Sequence, residues 1–150
     1  MEYIDRLKDP IDRSLRILKS YQGPYEVTLL VETCEFIFSK IVEAMKKKRI
    51  ESFYLNKIYE LLNKYDAIIN GPTTKKDREE HVIRGIRNGL VHCDTSFESL
   101  NGNIAKAIWK ITLQDNIGQT SELMKFEFYV DDLKSFIFEV GELITKDRYS

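Results

Sequence analysis

The stretch VTLLVETCEFIFSKIVEAM, from Val27 to Met45, is the most apolar part of the chain and decides the fold. Its apolar residues recur every three or four positions, which is the period of an α-helix. Further apolar residues at Leu29, Phe36 and Ile37 widen the face that must be buried. We therefore expect a helix over about 25–48 that lies at the centre of the protein, with several neighbours covering it.

Three further segments on both sides of this stretch also have helical periodicity. The first, about 3–19, carries one apolar stripe, and Pro10 favours a helix that begins near Asp9 with the proline at its first position. The second covers about 51–65. The third covers about 81–88 and follows a polar loop that has acidic residues at its end, which is typical of a helix start.

The hydrophobic period changes in the last third of the chain. Apolar and polar residues alternate over 105–113 and again over 124–130, and a glycine-containing turn separates the two runs. This pattern predicts an antiparallel β-hairpin over about 103–130. A last amphipathic helix is expected from Asp131 or Asp132, since either residue makes a good helix cap. The predicted class is α+β, mainly α, with four to five helices and one antiparallel hairpin before the C-terminal helix.

Length and composition limit the possible classes of protein. The 150 residues, 43% hydrophobic and 31% charged, predict one domain over 1–150 that is large enough to form a core. The formal net charge of −1 gives no global attraction to nucleic acid or membranes, so any such partner must bind a local patch. The two cysteines lack the spacing of a metal or redox motif. With no secretory signal and no apolar run of roughly 20 residues, a cytoplasmic location without membrane contact is expected.

The sequence Arg87-Asn88-Gly89-Leu90-Val91-His92, at the end of the fourth helix, is the best candidate for a functional site. On an unbroken helix Arg87 and His92 would point about 140° apart. They would converge only where the helix relaxes near Gly89 or the chain turns there, a deformation that glycine makes easy. The sequence permits an Arg–His cluster without proving one.

Such a cluster suits the cleavage of RNA. Histidine titrates near neutral pH and can move a proton to or from the ribose hydroxyl or the leaving oxygen. Arginine presents a planar, permanently charged fork to phosphate oxygens while negative charge builds up. Since the 2′-hydroxyl is the nucleophile, this chemistry requires no metal, no cofactor and no nucleophile from the protein.

The Arg-Asn-x-x-x-His pattern near the end of a late helix resembles the signature of HEPN domains, small helical bundles found in many prokaryotic defence and toxin systems. The resemblance in helix order covers about 3–93, and the hairpin is an elaboration. It implies metal-independent endoribonuclease activity, in a toxin or anti-phage context, by a homodimer that brings two Arg–His pairs into one cleft. By this analogy Arg87 stabilises the phosphorane, His92 is the acid or base, and Asn88 holds the cleft in shape.

Regulation by an antitoxin protein is a further implication of the resemblance, with one departure. Members silenced by a nucleotidyltransferase antitoxin carry a tyrosine two residues after the histidine. This chain has Asp94 at that position, which argues against control by tyrosine adenylylation there.

Other basic residues of the same region are candidates for binding the RNA backbone. Lys75, Lys76 and Arg78 precede or begin the fourth helix, and Arg84 lies within it. They would guide a phosphate backbone toward Arg87 if the fold brings them to one face. Without that arrangement they are ordinary solvated charges.

Two alternatives from other functional classes remain. The first is a catalytically silent HEPN module that binds RNA or nucleotides. The second is a helical subunit for protein interactions, in which Arg87 caps the last carbonyls of its helix and His92 hydrogen-bonds neighbouring backbone. Metal-free cutting of RNA that requires His92 would separate the enzyme from both.

Overall fold

The computed structural model describes the backbone of residues 3–23, 26–71, 77–92, 94–100, 103–114 and 121–146, and the side chains of 7–23, 26–71, 77–92, 94–98 and 124–145. In chain order these residues form α1 (Tyr3–Ser20), α2 (Glu26–Lys46), α3 (Ser52–Lys64), β1 (Ile68–Asn70), α4 (Arg78–Val91), β2 (Thr95–Leu100), β3 (Asn103–Gln114), β4 (Ser121–Tyr129) and α5 (Val130–Lys146). The predicted fold class, a mainly helical α+β bundle, is confirmed.

Helix α2 is the central helix, as its apolar sequence predicts, and it contacts α1, α4 and α5. Ile37 and Ile41 are fully buried, and Phe38 is 1% exposed. Cys34 lies on the same buried face, and this burial raises the pKa of its thiol well above the ordinary value. Even with this apolar helix, the described part of the chain contains no helix with the length and hydropathy that a membrane span requires.

Helix α1 begins earlier than expected, at Tyr3 rather than near Asp9, so Pro10 lies inside it. A proline in this position removes one backbone donor, whose partner would be the carbonyl four residues earlier. Leu7 and Ile11, on either side of the proline, are both buried against the bundle. Burial of each such side chain stabilises the helix by roughly 1.5–3 kcal/mol, which offsets the missing hydrogen bond.

The β-structure is a four-stranded antiparallel sheet in the order β1-β4-β3-β2. The two long strands of the predicted hairpin, β3 and β4, are its centre and pair over 106–114 and 121–129. Strand β2 pairs with β3 from Thr95↔Trp109 onward, and β1 pairs with β4 at Ile68↔Phe126. The sequence prediction missed β1 and β2, and the predicted turn at 115–119 lies outside the described residues.

One face of β4 is packed on the helices, as the alternation in its sequence predicts. Met124, Phe126 and Phe128 are buried, while Tyr129 is exposed. The ring of Phe128 lies 5.0 Å from that of Phe136 in α5. The sheet and the helical bundle therefore share one hydrophobic core.

A polar cluster connects α3 to α5 at the edge of this core. Glu139 accepts hydrogen bonds from Lys64 Nζ at 2.6 Å and from the Tyr65 hydroxyl at 2.7 Å. Burial raises the pKa of Tyr65, and the neighbouring Glu139 carboxylate raises it further. The ring of Tyr65 also packs edge-on against Phe136. The cluster thus fixes the end of α3 against the last helix.

Candidate functional site

Helix α4 carries the candidate motif and packs against α2, α3 and β3. Its buried side consists of Val82, Ile83, Gly85, Ile86, Gly89 and Leu90. The helix is longer than the predicted 81–88 and runs from Arg78 to Val91, with Glu79 and Glu80 in its first turn. Acidic residues there suit the positive end of the helix dipole.

The helix stays regular through Gly89. His92 is the C-cap, with φ −87° and ψ 9°, and its backbone N–H donates to the Asn88 carbonyl at 2.9 Å. The N–H of Asp94 then donates to the Gly89 carbonyl at 2.8 Å. A hydrogen bond between residues five apart is common where a helix ends. The relaxation at Gly89 that would let Arg87 and His92 converge does not occur.

Arg87 and His92 therefore leave the helix in different directions. Because α4 is unbroken between them, their side chains point about 140° apart and are offset by roughly 7.5 Å along the axis. Arg87 is half-buried beside the core face, whereas His92 is exposed. By itself, the geometry of α4 does not bring the two side chains onto one face of the helix.

Asn88 is half-buried and lies one turn before His92. Residues four apart on a helix are surface neighbours, so Asn88 and His92 occupy adjacent positions at the end of α4. Its backbone carbonyl also holds the His92 N–H. Asn88 thus supports the helix end through its main-chain carbonyl.

Three buried side-chain atoms of the described residues lack a hydrogen-bond partner, and all lie close to the motif in sequence. They are Nε of Arg84, Nε of Arg87 and Oγ1 of Thr95. A buried polar group without a partner costs roughly 1–3 kcal/mol, so such atoms are rare and often mark sites that bind a ligand. Among the described residues, the buried side-chain atoms without a partner thus belong to Arg84, Arg87 and Thr95.

Of the predicted RNA-binding residues, Arg78 and Arg84 are described, and only Arg84 lies close to Arg87. Arg84 lies on α4 one turn from Arg87, with Nη2 3.9 Å from Glu80 Oε2. Arg78 lies at the opposite end of the helix, roughly 14 Å along the axis from Arg87. Its guanidinium is stacked over the Tyr59 ring at 4.7 Å and forms an ion pair with Glu79.

The predicted residues Lys75 and Lys76 lie outside the described part of the chain. Where side chains are described, no three His, Cys, Asp or Glu residues form a group that would hold a metal ion.

Comparison with known families shows which family the chain belongs to. A family model described as HEPN pEK499 p136 matches residues 1–149. The chain belongs to this HEPN family. The match confirms the resemblance inferred from the Arg87–His92 pattern and the order of helices. No curated protein and no solved structure matches the chain.

Sequence reasoning missed three features around the candidate motif. The pairing of Glu80 with Arg84 could have been predicted from the sequence, because acidic and basic residues four apart on a helix face are expected to pair. Thr95 carried no signal, since its position depends on the pairing of β2 with β3. The exposed Val91, 38% accessible at the last turn of α4, was also not singled out.

Proposed function

We propose that the protein is a metal-independent endoribonuclease of the HEPN type that acts as a homodimer. Arg87 stabilises the phosphorane, His92 transfers protons, and Asn88 holds the imidazole and the cleft in shape. Membership of the HEPN family supports this proposal in general terms. The unpartnered Nε of Arg87, within the family motif, is the observation that carries it.

The chemistry follows from these two groups. The ribose 2′-hydroxyl attacks the adjacent phosphorus, forming a new P–O bond and breaking the P–O5′ bond. The His92 imidazole of the cleft accepts the hydroxyl proton and, as the imidazolium so formed, donates it to the leaving O5′. The products are a 2′,3′-cyclic phosphate and a 5′-hydroxyl. Arg87 binds the phosphate oxygens as their negative charge grows.

A second copy of the chain supplies what one copy lacks. Within a chain Arg87 and His92 leave α4 in directions about 140° apart, which favours a cleft in which the two groups come from different copies. Two α4 ends that meet across a twofold axis put Arg87 of one copy opposite His92 of the other. We infer this composite cleft for the active protein.

The biological setting is proposed from the family. A ribonuclease of this type acts as a toxin or an anti-phage effector in the cytoplasm, with RNA as its target and an antitoxin protein as a further partner. We also propose that residues 1–150 form one HEPN domain in which the sheet is an elaboration of the helical bundle.

The test is RNA cleavage in the presence of a chelator. We expect the purified protein to cut mixed RNA in EDTA, leaving cyclic phosphate ends, and His92→Ala to reduce the rate at least about a hundredfold. The matched control is His81→Ala, since His81 is the other histidine of the chain and lies on the same helix. Equal cutting by wild type and His92→Ala contradicts the proposal.

The alternatives give different results in the same experiment. RNA binding without cleavage favours the catalytically silent HEPN module. Such a module does not need Arg87 and His92 to act on the same phosphate. Neither binding nor cleavage favours the interaction subunit, in which the two residues only end a helix.

A further inference from the structure

Arg84 and Arg87 form a pair of neighbouring cations on α4. They are three residues apart, which puts their Cβ atoms about 5–6 Å from each other on the helix surface. Both side chains lie outside the buried face and both residues are half-buried. In each case the Nε atom is buried and has no hydrogen-bond partner.

Two like charges at this spacing repel each other. Among the described ion pairs, Glu80 is the acidic partner of Arg84, at the long distance of 3.9 Å. The side chains of Arg84 and Glu80 are 40% and 42% exposed, so the contact is open to solvent and weak. An anion with several oxygens would satisfy both guanidinium groups better than this one carboxylate does.

We propose that Arg84 and Arg87 together bind neighbouring phosphates of an RNA strand, and that Glu80 occupies Arg84 until a phosphate displaces it. The inference rests on the proposed function, because it takes RNA as the ligand of this site. It assigns Arg84 to phosphate binding next to the scissile position. It also makes Glu80 an internal competitor that weakens binding to RNA.

Binding is measured separately from cleavage with an RNA oligonucleotide that carries 2′-O-methyl groups throughout. This probe lacks the nucleophile and cannot be cut, so its affinity reports on binding without cleavage, and the salt dependence of that affinity reports on phosphate contacts. Arg84→Gln should bind it about tenfold more weakly, as the loss of one charge-assisted contact to phosphate predicts. The slope of log affinity against log salt should fall by about 0.7, the value for one phosphate contact to a single strand.

The competitor role of Glu80 has its own variant. Glu80→Gln leaves Arg84 in place and should bind the 2′-O-methyl RNA about threefold more tightly, since no carboxylate has to be displaced. Glu60→Gln removes the same charge at an exposed ion pair with Lys57 on α3 and should change little. Arg16→Gln, at the exposed pair with Asp12 on α1, is the corresponding control for Arg84→Gln.

The outcomes separate this inference from the proposed function. Unchanged affinity and salt slope in Arg84→Gln overturn the inference, even if the wild-type protein cleaves natural RNA. Weaker binding in Arg84→Gln, with tighter binding in Glu80→Gln, supports it even if no cleavage is found. Wild-type protein that does not bind the probe overturns it outright.

Discussion

His92 has two separable roles at the end of α4. Its backbone N–H donates to Asn88, a contact that any residue can make, while its imidazole is exposed. We therefore expect His92→Ala to change the free energy of unfolding by no more than about 0.5 kcal/mol, as is usual for exposed positions. Urea unfolding checks this, and a loss above 1 kcal/mol would assign the imidazole a structural role instead.

Replacing Arg87 should change the stability of the protein as well as its activity, since its Nε is buried without a partner. Arg87→Met keeps much of the side-chain volume and removes the unsatisfied donor, so we expect stability to rise by about 0.5–1 kcal/mol while RNA cleavage is lost. Arg16→Met, at the exposed ion pair with Asp12 on α1, is the control and should leave both unchanged. A destabilised Arg87→Met would mean that the guanidinium supports the fold.

At the scale of elements, sequence periodicity predicted the parts that have a strong local pattern. Helix α2 and strand β4 were found because their apolar residues recur at the helical or the strand period over many positions. Strand β1 has three residues, and β2, with the sequence TSFESL, is largely polar, so neither shows a period. Both strands form because β4 and β3 offer them hydrogen-bonding partners, which is long-range information that a local pattern does not contain.

The packing of α1 on α5 depends on the absence of a side chain at Gly141. A Cβ built there would overlap Leu15 Cδ1 and lie 3.2 Å from its Cγ, and Leu15 is only 8% exposed. We expect Gly141→Ala to destabilise the protein by about 1–2 kcal/mol, with overpacking outweighing the better helix propensity of alanine. Thermal unfolding measures the change.

The compensating variant for this contact is Leu15→Ala. If steric overlap is the cause, Gly141→Ala should cost less in the Leu15→Ala background than in the wild type, because the overlapping atoms are gone. Equal costs in both backgrounds would show that some other contact of Gly141 is responsible.

The link between α3 and α5 should make stability depend on pH. Burial acts against ionisation of Glu139, yet hydrogen bonds from Lys64 and Tyr65 hold its pKa below the ordinary value of 4.5. A carboxyl whose pKa is lowered on folding stabilises the protein above its unfolded pKa, and this stabilisation is lost as pH falls through the folded pKa. Wild-type stability should therefore decrease from about pH 4.5 downward, partly through this group.

The variant that isolates this effect is Glu139→Gln. We expect it to be less stable than the wild type by about 1 kcal/mol at pH 7, with the difference shrinking as the pH is lowered. Glu60→Gln, at an exposed ion pair on α3, is the control and should not show a shrinking difference. A gap for Glu139→Gln that stays constant between pH 7 and pH 3 contradicts the assignment.

At the scale of the whole molecule, the sequence predicted a candidate site but not its geometry. The Arg87–His92 pattern and the helix order identified the family, and the match over residues 1–149 confirms it. Whether the two side chains converge depended on whether α4 continues through Gly89, and a glycine is compatible with either outcome. The buried face of α4, which includes Gly89 and Leu90, keeps the helix regular and so directs Arg87 and His92 apart.

This divergence makes subunit complementation the decisive test of a composite cleft. Arg87→Ala and His92→Ala should each be inactive alone, since each removes one of the two groups from every cleft. When the variants are mixed and exchange subunits freely, roughly half of the dimers are mixed. In a mixed dimer the intact Arg87 of one copy faces the intact His92 of the other, so we expect cleavage to return.

The control for complementation is a mixture of Arg87→Ala with the double variant Arg87→Ala/His92→Ala. These dimers retain imidazoles but no Arg87, so activity should stay absent although the subunits exchange equally well. Recovery in the first mixture and not in the second requires the two residues to act from different copies. The regular α4 directs Arg87 and His92 of one chain about 140° apart, which is why the test targets pairing between copies. Failure of the first mixture, with subunit exchange verified by mass spectrometry of tagged copies, would exclude catalysis across the dimer.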